Sequence, residues 1–374
     1  MYVCPGRLAG RGAPIEHHCM ASQKSKTGKK LKTGTGAGRG SETGTAKPKA
    51  TKAARAARAR GSVVLRVVPQ PVPSWPGGRD SAVSLVTAIA MVERTWHDFL
   101  AADTPDGAHK FRIAARQLRV LLHIHRRYAK RAGHLQNFSE LRELLGTASR
   151  LTGPLRDLDV LAGELIPPLQ GTEHTPVLAT GTAAVLAMVA DARKNCRTRV
   201  CAAVAELVFF QPQLAALRTQ LEQGLHDTRR GVGHTGKRRQ RLHAMDDLKK
   251  RWRHFRSLSD HLERAVPEAL HDARKSLRTV RDALLHFEPL FKARHLAPMH
   301  KHLRRLQDAF GYLNDVESAK AFCSLLVVDP SHPEAHVAIG FLLGTHSDRA
   351  RRTQRKLKPM LQKLAATKLA RKLS

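Results

Sequence analysis

The chain has 374 residues, with 65 Lys+Arg against 31 Asp+Glu, a formal net charge of +34 and an isoelectric point near 11. Such a surface repels other cations and draws polyanions: nucleic acid, anionic lipid or free polyphosphate. No apolar run approaches the roughly 18 residues of a bilayer span, the N-terminus lacks a signal-peptide core, and scattered cysteines without C-x-x-C indicate neither a disulfide framework nor a zinc site.

In chain order, residues 1–61 hold 14 Lys+Arg and two acids, with almost no large apolar residue after Leu31. This composition reads as a disordered basic arm. Met20-Ala21-Ser22 is a second plausible start, which would make residues 1–19 an artefact of start assignment. Residues 62–79 run through Val63-Val64-Leu65 and then Pro69, Pro71, Pro73 and Pro76, an extended linker. From residue 80 the apolar spacing is helical throughout. The spacing predicts helices at 81–101, 106–131, 135–151, 155–166, 176–209, 212–226, 238–263, 267–291, 298–312, 313–326, 334–345 and 346–370, broken mainly by Pro and Gly. No run alternates with period two, so the fold class is all-α, and residues 80–374 suffice for a substantial core.

A basic motif is written twice. His109, Arg112, Arg116 and Arg119 follow H-x-x-R-x-x-x-R-x-x-R, and His271, Arg274, Arg278 and Arg281 repeat it 162 residues later. On a helix these offsets fall within roughly 80° of one another, so each motif is one stripe. His123 and Arg126 continue the first stripe. Opposite it lie Phe111, Ala115, Leu118 and Leu122; opposite the second lie Ala273, Leu277, Val280 and Leu284. Each helix can bury one face and turn the cations elsewhere, so replacing the cations is expected to leave the fold intact.

A charged stripe is commonly just a solvated face, but such faces mix Glu with Lys to gain i,i+4 pairs. These two hold cations alone, in the same types and spacing, which favours a ligand. Three Tyr and three Trp, none interleaved with the stripes, argue against base stacking and for phosphates without bases.

A second shared word follows each stripe. Gly153-Pro154-Leu155-Arg156-Asp157 answers to Gly311-Tyr312-Leu313-Asn314-Asp315, G-x-x-[RN]-D in both, placed where one helix is expected to end and another to begin. The Asp can cap the new helix or pin a neighbouring Arg. Arg156 is a candidate for direct ligand contact, and Asn314 departs from it. The duplication divides the helical region near Arg229–Gly233. Two pseudo-symmetric halves, about 80–230 and 234–374, are expected to pack with their stripes facing a common basic groove.

These residues resemble the CHAD family, the conserved histidine α-helical domain. The resemblance rests on His109–Arg119, Gly153–Asp159, His271–Arg278 and Leu303–Asp315, with Ile339–Gly344 and the Arg-rich segment after it similar to the family's closing helices. It spans roughly residues 80–365. It implies two four-helix-like halves around a basic cavity that holds inorganic polyphosphate, in a bacterial protein associated with cytoplasmic polyphosphate granules. The implied contacts are His109, Arg112, Arg116, Arg119, Arg156, His271, Arg274, Arg278 and Arg281, with Lys275 and Arg304 as weaker members. Asp157, Asn314 and Asp315 would support them. Some members carry a fused CYTH triphosphatase, whose E-x-E-x-K motif is missing here. The expectation is a binding module with no catalytic activity, cofactor or metal. The alternative is nucleic-acid binding through residues 24–60. A third reading, a phosphoanhydride hydrolase, lacks the clustered carboxylates that hold catalytic metal ions.

Overall fold

The apolar stripes are the interior faces of two helices that pack on each other. A computed structural model describes residues 78–131, 134–169, 175–208, 210–227, 234–326 and 333–374. Among the described residues there is no strand, and the fold is all-α. The basic arm, most of the Pro-rich linker and the expected dividing point at Arg229–Gly233 lie outside them.

The helices are α1 (Gly78–Ala101), α2 (Gly107–Ile124), α3 (Arg126–Arg131), α4 (Leu135–Leu151), α5 (Gly153–Val160), α6 (Pro176–Ala205) and α7 (Phe210–Asp227). They continue as α8 (His234–Ser257), α9 (Pro267–Phe287), α10 (Ala293–Leu326), α11 (Pro333–Arg355), α12 (Leu357–Ala365) and α13 (Lys368–Leu373). Their starts are chemically marked. Thr175 and Thr367 accept the amides of Leu178 and Ala370 through their hydroxyls, each at 3.4 Å, and Pro176 and Pro267 occupy first turns, where an N–H has no ladder partner.

The first motif lies on α2 and the second on α9. Phe111, Ala115, Leu118 and Leu122 are fully buried, as are Ala273, Leu277, Val280 and Leu284. Helix α2 packs against α1, α4 and α9, while α9 packs against α8 and α10. Trp96 is the hub of an aromatic nest, 4.9 Å from Phe111 and 4.7 Å from Phe210 between ring centroids. Such tilted pairs add attraction beyond the area they bury. At the other end Trp252 is buried and donates its indole N–H to the Ser374 hydroxyl at 3.2 Å, tying α8 to the last residue.

Helices α6 and α11 lie along each other. Their closest point is Gly181, where any Cβ would collide with the Glu334 carbonyl oxygen. Only glycine permits this approach.

Several boundaries differ from those the sequence suggests. The 106–131 segment breaks at His125, and α5 starts at Gly153 and widens into a π-helical turn at Leu161–Leu165. The segment expected at 238–263 ends at Ser257. The pairs expected at 298–312 with 313–326 and at 334–345 with the start of 346–370 are each one continuous helix. Gly311 and Gly344 thus sit in helix interiors, at a cost of about 1 kcal/mol each. The buried rows Leu303–Leu306–Phe310–Leu313 and Ile339–Leu342–His346 run straight through those positions, so packing overrides propensity. Pro298 is tolerated near the start of α10, where it removes a single ladder bond.

Candidate anion-binding site

Where α2 meets α9, the middle of each basic stripe is brought to one place. Arg112 and Arg116 from α2, and Arg274 and Arg278 from α9, are each only partly accessible. Arg116 Nε donates to Asp282 Oδ2 at 2.8 Å, and that carboxylate is almost wholly buried in α9. Arg112 donates to the Ser149 carbonyl at the end of α4 and passes beside Gly153. Arg274 faces Asp315 at 3.8 Å, while its Nε is buried with no hydrogen-bond partner.

Arg278 differs from the other three. Among the described residues it has no hydrogen bond and no carboxylate within ion-pair distance. Burial depresses its pKa most, and Arg274 and Arg116 add repulsion, so the guanidinium is pushed down to about 9. It stays charged at neutral pH, but its charge is desolvated and set among like charges. Burial is also the main force lowering Arg112 and Arg274. Such a cluster is unfavourable until an anion enters it.

Two carboxylates contact the arginines, and a third lies near them. Asp282 holds Arg116 and Asp315 faces Arg274. Asp157 retains accessible surface, yet enough protein surrounds it that burial raises its carboxyl pKa; Arg112 and a hydrogen bond to Ser318 oppose that rise. Of the two roles considered, pinning is compatible with Asp315, which faces Arg274, whereas Asp157 makes no ion pair with an arginine among the described residues, and capping fits neither. Asp157 is five residues into α5, and Asp315 lies in mid-helix because α10 continues through Gly311. The expectation that the stripes could be stripped of cations without harm to the fold is corrected likewise. Arg116 neutralises a buried acid, and Arg112 satisfies a helix-end carbonyl.

The remaining candidates surround this centre or turn away. His109 is half-buried, and burial followed by the charge of Arg156 lowers its pKa from 6.5. Arg156 pairs with Glu164 at 2.7 Å. His271 is exposed, with Nδ1 2.9 Å from Asn314 Oδ1. Lys275 is exposed and sits 3.4 Å from Asp272. The last arginine of each stripe leaves the centre: Arg119 turns towards Arg142 and Arg150 on α4, and Arg281 donates to Gln307 on α10. Arg304 is exposed on α10.

Sequence reasoning missed Asp282, Ser149, Glu164 and Arg142. Asp282 had a legible signal, a lone carboxylate between Val280 and Ala283-Leu284 on the apolar side of its helix. Among the described residues no three His, Cys, Asp or Glu are grouped to hold a metal ion, and no single helix is long and apolar enough to cross a membrane.

An all-helical fold with two His/Arg stripes meeting at one arginine cluster defines the class. The CHAD domain profile matches residues 86–324, and the chain belongs to the CHAD family. Among solved structures it is similar to the CHAD domain from the plant Ricinus communis, with a TM-score of 0.57 and 19% identity over 78% of this chain and 92% of that one. It is also similar to PptA from Streptomyces chartreusis, with a TM-score of 0.50 and 16% identity over 76% of this chain and 98% of that one. At these identities the likeness is one of fold. No curated protein sequence matches the chain.

Proposed function

We propose that this protein binds inorganic polyphosphate, without catalysis, in a basic groove between two pseudo-symmetric halves whose stripes meet at Arg112, Arg116, Arg274 and Arg278. The CHAD family is associated with polyphosphate. The observation that carries the reading is Arg278, a partly buried guanidinium among three other arginines, with no carboxylate within ion-pair distance among the described residues and only partial compensation from Asp315. Guanidinium forks bond phosphate oxygens without reading any sequence, and the ligand supplies the charge that the site lacks. The central carboxylates hold arginines in place, which lowers the entropy lost on binding. His109 adds a donor when protonated, so affinity strengthens as pH falls below 6.5. The protein acts on polyphosphate granules in the bacterial cytoplasm.

The test is calorimetric titration of the full chain and of Arg278→Ala with polyphosphate, with excess duplex DNA to occupy the basic arm. A loss of about tenfold or more with an unchanged melting temperature supports the reading. Undiminished affinity in a folded variant removes it. Divalent-dependent release of phosphate from polyphosphate by the wild-type chain would favour the hydrolase reading instead. Retention of duplex DNA that disappears with residues 24–60 would assign nucleic-acid binding to the arm alone.

A further inference from the structure

Beyond the central cluster, cations continue along α2 to a second concave region that the repeated motif does not describe. Arg119 turns away from the centre and lies beside Gly146, towards Arg142 on α4. The Nε atoms of Arg119 and Arg142 are both buried with no hydrogen-bond partner. Past them are two cavities that share Arg126 and Arg127 as walls. One, of about 320 Å³, is lined by Arg142 and Lys130 as well, with Leu122, Leu135, Phe138 and Ser139; it has four cations and no acid. The other, of about 260 Å³, adds His123, His243, Lys250, Arg251 and His254. Its acids are committed, Asp246 to Lys250 at 2.7 Å and Asp247 to Arg251 at 2.5 Å.

We infer that the polyanion path runs on from the arginine cluster over Arg119 and Arg142 into these cavities, so that a long phosphate chain engages two stretches and a short one engages only the centre. This rests on the polyphosphate reading and gives it a length dependence. Two unsatisfied, buried Nε–H donors side by side are costly unless an acceptor arrives. Glu143 opposes the cations around Arg142, yet no acceptor reaches either Nε, and a chain of phosphates would supply them. The charges of Arg126 and Arg251 bear on Arg142, and those of Arg251, Arg126 and Arg142 bear on His123, so these groups face one region. From Arg112 to Ile124, the end of α2 next to Arg126, the helical rise is about 18 Å. Three phosphates cannot cover that distance, whereas a long chain can. Linking two weak stretches on one ligand raises affinity through effective concentration.

The experiment compares long-chain polyphosphate with tripolyphosphate on the full chain, again with excess duplex DNA. The variants are Arg142→Ala and the double replacement Arg126→Ala/Arg127→Ala, whose side chains are exposed, so that a fold defect in the first leaves the second informative. The expected result is about a tenfold or greater loss for long chains with tripolyphosphate affinity unchanged. Unchanged long-chain affinity in the folded variants overturns the inference. So does an equal loss for both lengths, or a loss confined to duplex DNA when DNA is titrated alone. Arg278→Ala separates the two readings. If it weakens both lengths while the second-stretch variants weaken neither, only the extended path is lost. If it weakens neither, the central site itself is wrong.

Discussion

The Nε of Arg116 donates to the buried Oδ2 of Asp282 at 2.8 Å, joining one motif helix to the other through a side chain drawn from the basic stripe. On the proposed reading one residue of the cluster serves both cohesion and recognition, and its deletion must be interpreted differently from that of its neighbours.

Arg116→Ala leaves the Asp282 carboxylate buried and unpaired. The expected cost is about 3–5 kcal/mol of stability, because breaking one side of a buried pair is far worse than replacing both. Arg116→Met combined with Asp282→Leu should recover most of the loss. Urea unfolding of the two single variants and the double variant checks this. Equal destabilisation in single and double variants would show that the pair is not what joins the helices.

Arg278→Ala should behave in the opposite way. Its charge is desolvated and repelled by Arg274 and Arg116, so removing it should leave stability unchanged or slightly raised. Affinity for polyphosphate should fall by about tenfold to a hundredfold, from a charge-assisted bond of roughly 1.5–3 kcal/mol. Melting curves and titrations on one preparation measure both. A marked drop in melting temperature would mean that Arg278 has a structural partner.

Acid should weaken the junction elsewhere. His125 at the end of α2 and His286 on α9 face each other with Nε2 atoms 3.2 Å apart, and His286 Nδ1 lies 3.1 Å from the Ser84 hydroxyl. The short contact requires at least one ring to accept, hence to be neutral. Burial lowers His286 to about 4, with Asp247 opposing and His243 adding to the shift, and burial lowers His125 well below 6.5. Between pH 6.5 and about 4 the unfolded chain binds more protons than the folded one. The stability contribution is thus complete above 6.5, declines as pH falls, and levels off for His286 below about 4. The loss from His286 alone is on the order of 3 kcal/mol. Unfolding free energies from pH 7 to 4.5 should fall steeply in wild type and more gently in His286→Gln. Identical slopes would remove the pair from the account.

Salt should separate direct phosphate contacts from positioning groups. Counterion release makes log affinity for a polyanion fall linearly with log salt, and losing one phosphate-bound cation lowers the slope by about one. Arg278→Ala should lower it, and Asp315→Asn should not, although Asp315→Asn loosens Arg274. Titrations at several salt concentrations decide, and equal slopes in all three proteins would count against direct contact by Arg278.

The elements most legible in the sequence were those fixed by a single helix's periodicity. Phe111, Leu118 and Leu122 faced the core as their spacing required, and the paired offsets of Arg112, Arg116, Arg274 and Arg278 marked residues that meet. What could not be read is what depends on a second helix. Arg119 and Arg281 share the stripes' angle, but their long side chains follow the neighbours offered by α4 and α10. Gly311 looked like a corner because glycine usually interrupts helices, and only the core against α10 shows why it does not. Asp282 carries no motif, and its importance arises from what lies across the α2–α9 junction.

Gly181 sets a condition on assembly order. Helix α6 packs against α4 and α5 and most extensively against α11, which follows it by more than a hundred residues. During synthesis the Gly181 face of α6 therefore stays uncovered until Pro333–Arg355 has been made. Contacts this distant in sequence slow folding, because the loop must close before they return any stability. A chain truncated before α11 would expose the Gly181 face to whatever apolar surface it met first.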